Sequence, residues 1–96
     1  MQAFTFNQRV ENLYKSYFST FENISISLDE DQIKIYLIDE QNLDPASLEL
    51  KKFKQYDQIT FWDGYSQSEV IETTSERESA KTLKRFMKKI LKILNR

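Results

Sequence analysis

The sequence contains no cysteine and no histidine, only one glycine and one proline, and no apolar run approaching the ~20 residues that span a bilayer. Each absence excludes a class of function. Without cysteine there is no disulfide, no thiolate nucleophile and no thiolate metal site. Without histidine the commonest metal ligand and the usual general base near neutral pH are missing too. A single glycine, Gly64, rules out the glycine-rich loops that cradle phosphates. The N-terminus, MQAFTFNQRV, lacks the charged start, apolar stretch and small residues of an export signal, so the chain is expected to be soluble and cytoplasmic, with no membrane partner and no cofactor. The lack of cysteine agrees with a reducing compartment.

What is present suffices for one small folded domain over residues 1–96. Hydrophobic residues make up 40%, aromatic residues 14% and charged residues 30%, a composition that buries a core rather than staying disordered. The formal net charge of −1 hides a separation: residues 1–80 carry all 15 acids against 7 bases, and residues 81–96 carry 7 bases and no acid. Within the acidic part, residues 22–49 hold eight acids against Lys34 alone. Such a field steers a basic partner and raises association rates, although acids also gather in solvated turns for no further reason.

Thr5-Phe6-Asn7-Gln8 has the capping-box form, and Phe6, Val10, Leu13, Tyr14, Tyr17, Phe18 and Phe21 recur at spacings of three and four. The spacing predicts a helix over about 6–21 with an aromatic stripe facing the core. Ile24, Ile26 and Leu28 alternate with serines, and after the polar turn 29–32 the apolar phase resumes at Ile33, Ile35 and Leu37. A hairpin over about 24–38 follows, with Lys34, Tyr36 and Ile38 on its outer face.

Residues 40–57 read two ways. Asp44-Pro45 suits a helix start, with Ala46, Leu50 and Phe53 on one face, whereas Leu48-Glu49-Leu50-Lys51 alternates as a strand does. The helix, over about 45–54, is the preferred reading. Asp63-Gly64 then signals a two-residue hairpin turn between residues 58–62 and 65–74, which would set Trp62 opposite Tyr65. That register places Ile59, Phe61 and Val70 on one side, and Thr60, Trp62, Tyr65, Gln67, Glu69 and Ile71 on the other. Ser75-Glu76-Arg77-Glu78 is a second capping box, opening a terminal helix to about residue 94 with Ala80, Leu83, Phe86, Met87, Ile90 and Leu94 inward. The expected architecture is α+β: a four-stranded antiparallel sheet of two hairpins, with an N-terminal and a C-terminal helix packed mainly on one face.

Catalytic and metal chemistry find little to work with. Asp29, Glu30 and Asp31 suggest calcium, but an EF-hand loop begun at Asp29 needs a ligand at position five and glycine at position six, where Ile33 and Lys34 stand. No metal site and no catalytic residue follow from the spacing, and the chain is not expected to be an enzyme. A protein-binding surface fits better. Tyr36, Trp62 and Tyr65 are expected on the outer face of the sheet with Asp29, Glu30, Asp31, Asp39 and Glu40 as an acidic rim; aromatic residues dominate interface hot spots, and rim charges set orientation. The alternative for Trp62 and Tyr65 is a stabilising cross-strand pair, or cover by the 40–57 segment. A second candidate surface is the basic helix, where Lys81, Lys84, Arg85, Lys88, Lys89 and Lys92 would lie on phosphates, although a net acidic domain weighs against nucleic acid.

Ile59-Thr60-Phe61-Trp62-Asp63-Gly64, followed by Ser68-Glu69-Val70-Ile71-Glu72, resembles the central hairpin of small bacterial immunity proteins of the TriTu type. In that family a strand ends in Trp-acidic-(x)-Gly and its partner reads Glu-Val-aliphatic-acidic; the surrounding order of helix, two strands, two strands and helix is similar, but here Gly64 follows the acid directly and residues 40–57 are longer than the family's link. The resemblance implies a non-enzymatic protein, encoded beside a polymorphic toxin, that binds the toxin and protects the producing bacterium. It implies no catalytic or binding residue.

Overall fold

A computed structural model describes residues 5–95. Residues 1–4, part of the N-terminus read for an export signal, and Arg96, the last of the basic residues, lie outside them. The chain runs α1 (Phe6–Phe18), β1 (Ile24–Leu28), β2 (Gln32–Leu37), β3 (Ser47–Lys52), β4 (Asp57–Trp62), β5 (Ser68–Thr73) and α2 (Glu76–Leu94). The five strands form one antiparallel meander in sequence order, so every strand pairs with its chain neighbours. The fold is α+β with terminal helices, as expected, but the sheet has five strands rather than four.

The extra strand is the 45–54 segment. Leu48 and Leu50 are wholly buried, whereas Ser47, Glu49 and Lys51 alternate with them on the other face. Period two wins over the helical reading because β3 fills the gap between β2 and β4. It pairs along its length with both, giving Leu48 the partners Ile35 and Phe61. As a helix it would have left both hairpins with unpaired inner edges, which costs far more than a helical preference of a few tenths of a kcal/mol per residue. Phe53, expected on one helical face with Ala46 and Leu50, instead stacks on Tyr56 in the β3–β4 turn, half exposed.

The helices start where their caps predict. Thr5 Oγ1 accepts from Gln8 N–H at 3.2 Å while Gln8 Oε1 accepts from Thr5 N–H at 3.0 Å, a complete capping box. At α2 only half of the box forms: Ser75 Oγ accepts from Glu78 N–H, but the Glu78 carboxylate accepts from Thr74 N–H, one residue earlier than the motif requires. α1 ends at Phe18, three residues short of expectation, and Phe21 turns back to pack edge-on against Phe18.

One core lies between the sheet and the helices. Val10 and Phe18 of α1, with Leu83, Phe86, Met87 and Ile90 of α2, meet Ile33, Ile35, Leu48, Leu50, Ile59 and Phe61 of the sheet. Phe61 stacks on Phe86 with centroids 5.4 Å apart. Each such side chain, removed from water, contributes about 1.5–3 kcal/mol. Beneath the first turn of α2 a polar knot joins three elements: wholly buried Ser79 donates to Asp57 Oδ2 at 2.7 Å, and its oxygen lies 2.6 Å from Thr73 Oγ1. Both helices cover the same face, and among the described residues no helix or strand covers the other.

Candidate functional site

The hairpin around Gly64 differs from the two-residue turn in a way that decides which side chains reach solvent. Asp63 Oδ1 accepts from the backbone N–H groups of Tyr65, Ser66 and Gln67 at 2.8, 2.9 and 3.0 Å, while Asp63 N–H donates to Gln67 O at 3.0 Å. The aspartate side chain thus organises a longer loop than Asp-Gly alone would make. Trp62 faces Ser68, not Tyr65, and Phe61 faces Glu69. The register moves by three positions, an odd number, so all of β5 turns over. Val70 joins Trp62 on the uncovered face and is 56% exposed; Glu69 and Ile71 turn to the helix side.

Tyr36 and Trp62 do share the uncovered face, as expected. They stand in one cross-strand row running Ser25, Tyr36, Ser47, Trp62, Ser68, both half-buried. Trp62 is partly covered by the β2–β3 connection, whose Asp44 carbonyl accepts its indole N–H at 2.9 Å. Tyr65 is not on this face. It stands on the β4–β5 loop, 75% exposed, at the end of the sheet.

The acidic rim divides in two. Asp39 and Glu40 follow β2 and meet Tyr65 in a cleft of about 430 Å³, completed by Asn23, Leu37, Ile38, Ile93 and Leu94. Asp29, Glu30 and Asp31 precede β2, at the opposite end of a six-residue strand. A rise of ~3.3 Å per residue sets the two groups ~20 Å apart. They cannot rim one small patch.

Ile38, expected on the outer face, and Leu43, which sequence patterning did not select, stand beside the first acidic group. Ile38, 53% exposed, and Leu43, fully exposed, flank Asp39, Glu40 and Asp44. One bond joins the two loops, Asn42 Nδ2 donating to Gly64 O at 2.9 Å, and two shape the β2–β3 connection itself: Asn42 Oδ1 accepts from Asp44 N–H at 3.0 Å, and Asp39 Oδ1 accepts from Gln41 N–H at 2.9 Å. Gly64 adopts φ +90, and a Cβ there would meet Ala46 N at 3.0 Å, so both conformation and contact demand glycine. The available signal was Leu43, a large apolar residue alone in a polar turn.

The basic helix also divides. Arg85 and Lys89 are held by Glu69 at 2.7 and 2.8 Å, and their cations lie over the Phe86 and Phe61 rings. Those two hydrogen bonds, before any longer-range attraction, pull the Glu69 carboxyl below its ordinary pKa. Lys81, Lys84, Lys88 and Lys92 remain on the solvent face, with no ion-pair partner among the described residues. At Tyr14, whose hydroxyl donates to Ile24 O at 3.2 Å, burial and then the nearby Tyr36 push the phenol above 10.0.

No group of three or more potential ligands among the described residues is placed to hold a metal ion, and no described helix is long and apolar enough to cross a membrane. No protein family, characterised protein or solved structure gives a significant match to the chain.

Proposed function

We propose that this chain is a non-enzymatic protein-binding inhibitor, an immunity protein that neutralises a bacterial toxin in the cytoplasm by occluding it. The observation that carries the reading is the loop end of the sheet. Ile38, Leu43 and Tyr65 stand in solvent on two loops bonded to each other, with Asp39, Glu40 and Asp44 among them. A folded domain gains no stability from an apolar residue held wholly in water. A partner gains twice: apolar area to bury, and loops already ordered, so little conformational entropy is lost on docking. The acids then favour a basic partner and speed its approach. The resemblance of the Trp-Asp-Gly hairpin to that of TriTu-type proteins supports the same reading.

The test is co-expression with the toxin encoded beside this chain, followed by affinity measurements on purified complexes. Tyr65→Ala and Leu43→Asp should each weaken binding at least about tenfold, roughly 1.4 kcal/mol, whereas Asp31→Lys at the far end should leave it unchanged. Equal affinity in all three variants removes this surface from the reading.

A second reading, a nucleic-acid-binding or regulatory module, rests on the four lysines Lys81, Lys84, Lys88 and Lys92 along α2. It requires affinity for duplex or single strands that falls steeply with salt, and negligible binding at low salt would remove it.

A further inference from the structure

Resting on that protein-binding reading, we propose that the cleft between Tyr65 and the end of α2 receives an arginine side chain of the partner protein. Its lining has three parts that call for one ligand. Leu37, Ile38, Ile93 and Leu94 supply apolar lining, Asp39 and Glu40 bring two carboxylates, and the exposed Tyr65 adds an aromatic ring. The cleft also opens beside the last turn of α2, where the helix dipole presents its negative end.

Each class of side chain meets these parts differently. An aliphatic side chain fills the walls but strips water from two carboxylates with no compensation. An acidic one is repelled by both carboxylates and by the helix end. A lysine satisfies the charge, but its ammonium is a point charge that neither lies flat on a phenol ring nor bridges a carboxylate through two bonds. An arginine does all three: its methylene stem lies along the apolar walls, its planar cation stacks on Tyr65, and its five donors reach Asp39 and Glu40. Among the described residues no lysine or arginine of the chain lines this cleft. Lys92, the base of the last turn, lines a different cleft with Phe61, Asp63 and Gln67.

The test is a solution NMR titration of the isolated chain with Nα-acetyl-arginine N-methylamide, and with the citrulline analogue, which is nearly isosteric and uncharged. The arginine probe should shift Tyr65, Ile38 and Leu94 resonances with a dissociation constant on the order of 1–10 mM, and citrulline should bind at least about tenfold more weakly. The exposed double variant Asp39→Asn/Glu40→Gln, checked for an unchanged melting temperature, should lose the arginine shifts. Equal binding of the two probes overturns the proposal. So does absence of arginine binding by the wild-type chain. Either result leaves the inhibitor reading to the co-expression assay, and failure of that assay leaves the titration result intact.

Discussion

The Asn42 side-chain amide donates to the Gly64 carbonyl at 2.9 Å, fastening the β2–β3 connection to the β4–β5 loop. Its other end accepts from Asp44 N–H, so one side chain sets the shape of one loop and the position of the next. Asn42→Ala removes both bonds from a half-buried site and should cost about 1–2 kcal/mol of stability, taking a net ~1 kcal/mol per bond. Chemical denaturation checks the total. Hydrogen exchange should show faster opening confined to the two loops.

Gly64→Ala should be worse than an ordinary surface substitution. The added methyl group meets the Ala46 backbone nitrogen at 3.0 Å, and φ +90 is strained for any residue with a Cβ. The two effects together should cost about 1–3 kcal/mol, the usual range for a residue forced into a sparsely populated backbone region. A melting temperature unchanged by the substitution would show that the loop relaxes to another turn. Gly64→Asn, which tolerates positive φ better, should recover part of the loss.

The Asp57–Ser79–Thr73 knot should be the most sensitive polar feature of the fold. Ser79 is wholly buried and bridges a carboxylate to a buried hydroxyl. Ser79→Ala leaves both partners short of a bond and should destabilise by about 1–3 kcal/mol, the cost of unsatisfied buried polar groups. Ser79→Ala combined with Thr73→Val should cost less than the sum of the two single changes, because the second substitution removes a group that the first left unpaired. A double-mutant cycle in urea measures the coupling.

Much of the fold was legible because its signals are local. Caps at Thr5 and Ser75, the stripe of α2 and the alternation in β1 and β2 all act within a few residues, and each element forms where they place it. Residues 45–54 misread because Ala46 and Leu50 satisfy helix and strand periods alike, and only the vacancy between β2 and β4, a non-local fact, decides between them. The register around Gly64 misread for a different reason. Asp-Gly by itself signals a complete two-residue turn, whereas the Asp63 carboxylate gathers three backbone N–H groups and lengthens it. The site inherited the register error: Tyr36 and Trp62 fall on the expected face, but Tyr65 stands at the loop end and meets Ile38, Asp39 and Glu40 there. The separation of Asp29–Asp31 from Asp39–Glu40 follows from the length of β2 and was already computable from the hairpin.

The Glu69 bridges to Arg85 and Lys89 predict a pH dependence of definite sign. Their hydrogen bonds hold the Glu69 carboxyl below its unfolded value of 4.5. A group depressed on folding contributes stability that is fully present above the unfolded value and is lost as pH falls through the folded one. The stability difference between the wild-type chain and Glu69→Gln should therefore be constant at neutral pH and shrink as pH drops below 4.5. Because the three side chains are 35–47% exposed, salt should diminish it as well. A difference that grows on acidification would contradict the bridges.

Val70 and Ile71 provide the sharpest test of strand register. They are adjacent on β5, and the observed pairing of Trp62 with Ser68 turns Val70 to the uncovered face and packs Ile71 against the core. A two-residue turn at Asp63-Gly64 would reverse them. With the observed register, Val70→Lys should change stability by no more than about 0.5 kcal/mol, as at an ordinary exposed site. Ile71→Lys drives an ammonium against the apolar side of the sheet, beside Ile59, and should cost at least about 3 kcal/mol unless the chain snorkels to the edge. Thermal denaturation of the two variants decides it, because the rival register predicts the opposite order of melting temperatures and no relaxation of exposed side chains can invert it.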